Sequence, residues 1–145
     1  MSIGRIESVA TRGKAVIVVD WDDGHRAAID LAPIIAERPI LSGLGDPEIF
    51  HRVQLPEDGW SIEWPKAGID LGAAQLRRWA DEQAGNAMPA SAFRAWMERH
   101  GMTLDRAAEA LGLSRRTIAY YLSGEQVIPK TVLLATEGFD ARRAA

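Results

Sequence analysis

The sequence predicts an α+β chain: an N-terminal antiparallel sheet of hairpins with one or two helices, followed by an all-α domain organised around two short helices and a tight turn. Three observations carry this prediction. Residues 5–30 alternate apolar and polar positions between turn signals, residues 102–124 switch to a helical period broken by one glycine, and the sign of the charge changes between the two regions.

In the first region RIESVA, AVIVVDW and HRAAIDL are strands separated by turns at 12–14 and at Asp22, Asp23 and Gly24, where Asp-Gly between β-rich runs marks a hairpin. A short helical piece at 31–37 stops at Pro39. After a loop holding Gly43 and Gly45, residues 46–50 form a single helical turn, and HRVQLP with SIEW makes a second hairpin about Asp58 and Gly59. Trp64 before Pro65 is restricted to extended backbone at a strand end. Residues 73–82 close the domain as a helix with Leu76 and Trp79 on one side. The segment DEQAGNAMP interrupts two helical patterns, which divides the chain into a domain at 1–83, a linker at 84–89 and a domain at 90–145.

In the second region a helix at 91–100 carries Phe93, Trp96 and Met97 on one face and ends at Gly101. The next helix starts after Thr103 as N-cap and ends at Gly112, where the chain needs a positive φ. Ala108 sits where this helix crosses the following one, and Ile118 points back into their shared core with Leu111, Leu113 and Tyr121 around it. Ser114 caps the second helix, which opens at Arg115. Pro129 suits the first turn of a last helix carrying Val132, Leu133 and Ala135 as far as Gly138, with the tail ARRAA frayed.

Two short helices around such a turn form a helix-turn-helix, whose second helix enters the major groove of double-stranded DNA. Ile118 and Tyr121 define its inward stripe, so Arg115, Arg116, Ala119, Tyr120 and Ser123 fall on or beside the outward face. Arg115 and Arg116 are the base-reading candidates, because a guanidinium offers two donors to guanine O6 and N7. Ala119 lets the helix approach the bases, and Tyr120 reaches a thymine methyl or a phosphate. Thr103, Arg106, Ser114, Ser123 and Lys130 are phosphate candidates, with Arg142 and Arg143 in reserve.

The residues from Ala90 to about Phe139 resemble the Cro/CI-like (lambda repressor-like, XRE) family, which implies a small all-helical DNA-binding domain. The chain departs from that family at Thr103, Leu104 and Asp105, where a phosphate-gripping glutamine is common and an acid would repel the backbone. VDWDDGH, IDLAPII, LGDPEIF and SIEWPKAGIDL are similar to a family of small bacterial proteins known only as a domain of unknown function, some members of which carry a C-terminal helix-turn-helix. That resemblance implies a regulatory setting, including association with toxin and antitoxin genes, and brings no activity with it. The residues themselves are architectural: the aspartates set turns.

Composition narrows the alternatives. The chain is 145 residues long with 47% hydrophobic content, enough for packed cores, and its lack of cysteine excludes disulfides, thiolate catalysis and cysteine-ligated zinc. The apolar run AVIVV is too short to span a bilayer, so a cytoplasmic protein without a membrane anchor is expected. Residues 1–87 hold 9 Lys+Arg against 14 Asp+Glu, while residues 88–145 hold 8 against 6, so the only basic part is the one with the groove-reading pattern. His25, His51 and His100 are dispersed, Gly43-Leu44-Gly45 lacks the third glycine of a nucleotide loop, and Glu57 and Asp58 lie open at a turn; no catalytic, metal or cofactor site is expected. Asp20, Asp22 and Asp23 suit a turn better than a divalent cation, and Trp21, Trp60, Trp64 and Trp79 suit a core better than a ligand pocket, with a groove for a partner left to any tryptophan that is exposed. The expected function is a sequence-specific DNA-binding transcriptional regulator, antitoxin-like and homodimeric. The alternative is a protein-protein adaptor or toxin-neutralising partner without DNA affinity.

Overall fold

The computed structural model describes residues 4–144. It divides into two compact units, residues 1–80 and 81–145.

In the first unit β1 (Ile6–Arg12), β2 (Val16–Trp21) and β3 (Arg26–Asp30) form the antiparallel meander that the sequence predicts. Period-two alternation puts Ile17, Val19 and Trp21 of β2 and Ile29 of β3 into the core. The turn aspartates hold backbone amides: Asp22 Oδ1 accepts from the Arg5 N–H at 3.0 Å and Asp23 Oδ1 from the His25 N–H at 3.1 Å. That amide bond, together with the Arg77 guanidinium 3.0 Å away, holds the Asp23 carboxyl below its usual range. Asp20 accepts from the Ser8 hydroxyl at 2.7 Å. α1 (Ala32–Glu37) follows, then a 3₁₀ run over Pro39–Gly45, and α2 (Pro47–Phe50) starts where Asp46 accepts from the Glu48 N–H at 3.0 Å.

The second hairpin differs from the sequence expectation. β4 (Ser61–Trp64) pairs with β5 (Ile69–Gly72), and the HRVQLP segment contributes one isolated bridge, Gln54 to Glu63. Two local causes account for this. Pro56 has no amide to extend the pairing, and the Asp58-Gly59 turn is committed to β1, where the Ile6 N–H donates to the Gly59 carbonyl at 2.7 Å and a Cβ on Gly59 would meet the Ile6 carbonyl. β4 instead turns through Pro65–Ala67 into β5. α3 (Ala73–Gln83) packs Leu76, Trp79 and Ala80 on the sheet side. Trp21, Trp64 and Trp79 are core residues, the Trp64 indole donating to the Phe50 carbonyl at 2.8 Å; Trp60 is 54% exposed.

The second unit contains α4 (Ala90–Arg99), α5 (Leu104–Leu111), α6 (Arg115–Ser123) and α7 (Lys130–Ala144). Their core is Phe93, Trp96, Met97, Ala107, Ala108, Ile118, Tyr121 and Val132, with Phe93 edge-on to Tyr121 at 5.7 Å. Three features depart from the sequence expectation. Ala87 and Met88, expected in the linker, form β6 (Ala87–Met88), which pairs with β7 (Ile128–Pro129), so Pro129 ends a strand instead of opening a helix. α7 continues through Gly138 into the tail expected to fray, of which only Ala145 lies outside the described residues. Ala135 is exposed, and Thr136 is the buried residue there.

A glycine inside a helix costs about 1 kcal/mol relative to alanine, and the residues just beyond it supply the compensation. Phe139 meets Trp96 edge-on at 5.5 Å. Asp140 accepts from the Trp96 indole N–H at 2.9 Å, from Arg99 at 3.1 Å, and pairs with His100 Nε2 at 2.6 Å, which fastens α7 to the end of α4. The His100 hydrogen bond is the largest cause holding the Asp140 carboxyl below its usual range.

Asp140→Ala leaves the buried Trp96 indole without an acceptor, and we expect a loss of about 1–3 kcal/mol in urea unfolding of the full chain at neutral pH. Because the folded-state value is depressed, the ionic part of this contribution is complete above the unfolded value of 3.8 and fades as pH falls through the folded one. The gap between wild type and variant therefore narrows in acid; a gap that widens below pH 4 would contradict the assignment.

Candidate nucleic-acid interface

The geometry of α5 and α6 follows from three local devices. Thr103 accepts from the Arg106 N–H at 3.2 Å and starts α5. At its other end Gly112 takes φ +69°, the Gly112 N–H reaches the Glu109 carbonyl at 3.4 Å, and the Leu113 N–H reaches the Ala108 carbonyl at 2.9 Å. Those paired bonds are a Schellman motif, which satisfies two end carbonyls and reverses the chain within one residue. Ser114 then accepts from the Thr117 N–H at 3.1 Å and starts α6. Only three residues, 112–114, separate the helices, so their crossing is set by small and apolar contacts: Ala108 and Ile118 are buried, with Leu111 and Leu113 half-buried beside them.

On α6 the inward stripe is Ile118 and Tyr121, and burial pushes the Tyr121 phenol pKa up. Arg115, Arg116, Ala119 and Ser123 are exposed and Tyr120 is half-buried. The other phosphate candidates stand at helix starts: Thr103 and Ser114 are the N-caps, Arg106 lies in the first turn of α5 beside Glu109 at 3.5 Å, and Lys130 opens α7. Ser123 donates to the Tyr120 carbonyl at 3.1 Å and accepts from the Glu125 N–H at 3.3 Å, so its hydroxyl also shapes the end of the helix. Arg142 and Arg143 lie in the last turn of α7, with Arg143 over the Phe139 ring.

The two adjacent arginines have different surroundings. Arg115 Nη1 lies 3.4 Å from Asp105 Oδ2, so the acid that departs from the helix-turn-helix pattern faces a guanidinium across the turn. Arg116 donates its Nε–H to the Tyr120 hydroxyl at 2.8 Å, with Cζ 5.3 Å from the ring centroid. The sequence reading singled out all four residues but paired neither couple. An i, i+4 spacing makes Arg116 and Tyr120 neighbours on a helix and could have revealed one couple; ten residues and a turn separate Asp105 from Arg115, and no spacing rule spans that. Arg94, which the sequence reading passed over, donates to the Leu122 carbonyl at 3.4 Å and ties α4 to α6. Among the described residues no group of three His, Cys, Asp or Glu side chains could hold a metal ion, and no helix is long and apolar enough to cross a membrane.

Comparison with known proteins finds two families along the chain. Residues 6–82 match a family described as protein of unknown function (DUF2442), and residues 90–136 match a family described as helix-turn-helix domain. A crystal structure of a candidate DNA-binding protein from Nitrosomonas europaea is similar to this chain with a TM-score of 0.53 and 34% identity, covering 96% of this chain and 88% of that one. No curated protein matches the chain.

Gly112→Ala places a Cβ where no heavy atom lies within 4 Å, so its cost is that of the left-handed backbone alone. We expect about 1–2 kcal/mol of destabilisation in urea unfolding, and a variant as stable as wild type would show that the turn tolerates another conformation.

Proposed function

Because this chain belongs to the DUF2442 family over residues 6–82 and continues into a helix-turn-helix domain over residues 90–136, we propose that it is a sequence-specific DNA-binding transcriptional regulator. The observation that carries the reading is the exposed, doubly cationic start of α6, aimed outward by the Gly112 turn. A helix presented in this way enters the major groove with its N-terminal residues at the base edges. Arg115, Arg116, Ala119 and Tyr120 are the base-facing set; Thr103, Arg106, Ser114, Ser123 and Lys130 face phosphates. The net positive charge of residues 88–145 supports the same polarity, and the similarity to a candidate DNA-binding protein is in keeping with it.

One helical domain covers a few base pairs, so the working form in this reading is a homodimer on a two-fold site with half-sites about one helical turn apart. The residues at 1–83 form its dimerisation, sensing or partner domain and those at 90–145 the Cro/CI-like reader, to which β6 at Ala87–Met88 adds a strand. The protein acts in the cytoplasm without catalysis, in an antitoxin-like setting.

A second reading is favoured by one observation: Asp105 places a negative charge 3.4 Å from Arg115 on the presenting side. In that reading the domain is an adaptor or toxin-neutralising partner without DNA affinity. A mobility-shift titration on the DNA upstream of its own gene, at two salt concentrations, separates the readings: a salt-sensitive shift supports the regulator, and no shift at low salt with capture of a protein partner supports the adaptor. Within the first reading, Arg116→Ala costs about 1–3 kcal/mol on specific DNA and relaxes discrimination at one base pair, whereas Lys130→Ala weakens all sequences alike and lowers the salt slope by about one. An equal loss on every sequence for Arg116→Ala would make it a phosphate contact instead.

A further inference from the structure

We propose that Tyr120 is a positioning residue for Arg116, and that this pairing makes Arg116, and not its neighbour Arg115, the guanine reader of α6. The inference rests on the DNA-reading assignment above and narrows its base-facing set, moving Arg115 from the bases to the backbone. A guanidinium can address guanine O6 and N7 with either of two forks, one made by Nε and an Nη, the other by the two terminal Nη groups. In Arg116 the first fork is already used, because Nε–H donates to the Tyr120 hydroxyl at 2.8 Å. The terminal Nη1/Nη2 fork remains, and the ring beside Cζ at 5.3 Å restricts the swing of the plane that carries it. A guanidinium held this way loses less conformational freedom when it docks than one on a free four-bond stem.

Arg115 is situated differently. Its Nη1 belongs to that same terminal fork and faces Asp105 Oδ2 at 3.4 Å. Engaging a base end-on requires leaving the carboxylate, and the side-on fork of Nε and Nη2, though open, has no neighbour that fixes its plane as Tyr120 fixes that of Arg116; a single phosphate contact through Nη2 needs neither. The carboxylate also draws the side chain back toward α5. Arg115 is therefore a backbone contact, and each half-site carries one guanine set by Arg116.

The test is a selection of bound oligonucleotides by the full chain, run in parallel for wild type, Arg115→Ala, Arg116→Ala and Tyr120→Phe, with thermal melts to establish that each variant folds. Tyr120→Phe keeps the ring and removes only the acceptor for Nε. Wild type is expected to enrich one guanine position per half-site, and Tyr120→Phe to lose about tenfold in preference at that position and at no other. Arg116→Ala loses the same position, a variant carrying both Arg116→Ala and Tyr120→Phe is no worse than Arg116→Ala alone, and Arg115→Ala lowers binding to all sequences together. Wild-type guanine preference in Tyr120→Phe, loss at a different base pair, a uniform loss over all sequences, or loss of a guanine in Arg115→Ala each overturns the assignment. Failure of wild type to bind any duplex at low salt overturns the DNA reading, and this inference with it.

Discussion

The left-handed turn at Gly112 is the constraint on which the second unit depends. It ends α5 by satisfying two carbonyls, starts α6 three residues later, and so decides which face of α6 is buried. Had α5 continued by one more helical residue, α6 would begin about 100° further round, and the stripe of Ile118 and Tyr121 would no longer meet Phe93 and Ala108. Arg115 and Arg116 are exposed because Ile118 and Tyr121 are not. The inside-outside polarity of this helix is thus a consequence of packing, and the caps at Thr103 and Ser114 make the starts of α5 and α6 definite.

The rest of the unit holds that geometry in place. Phe139 and Asp140 fasten α7 to α4, the Arg94 bond reaches the end of α6, and the short pairing of β6 with β7 joins the entry of α4 to the entry of α7. Asp140 serves several donors at once, the indole, the imidazole and a guanidinium, and such a node specifies one arrangement because every partner loses something if it moves. The first unit uses the same economy at Asp22 and Asp23: Asp23 accepts from the His25 amide of its own turn, and Asp22 reaches across to the Arg5 amide just before β1.

Much of this was legible in the residues. The first three strands, the helix after them, α3, and the cap-turn-cap arrangement of α5 and α6 all follow from patterns local in sequence: alternation, helical period, and turn residues with a single favoured conformation. The candidate site residues on α6 could be sorted from the inward stripe for the same reason. What could not be read was non-local. The pairing of β4 with β5 depends on Gly59 being claimed by β1, more than fifty residues away in the chain. The two-residue strands β6 and β7 have too little sequence to show a period, and helix α7 passes Gly138 because of Trp96 and His100, which the helix's own sequence does not contain. The couples Arg115–Asp105 and Arg116–Tyr120 are likewise products of folding, and they give two residues of identical type different surroundings.

The central claim is that the start of α6 lies in the major groove of a DNA duplex. Its most direct measurement is methylation protection on the duplex that the full chain selects, since methylation at guanine N7 reports the major groove and at adenine N3 the minor groove. The account predicts that guanine N7 becomes protected in two patches about one helical turn apart, while adenine N3 stays reactive. Binding that leaves every guanine N7 reactive, or that protects adenine N3 alone, would contradict it.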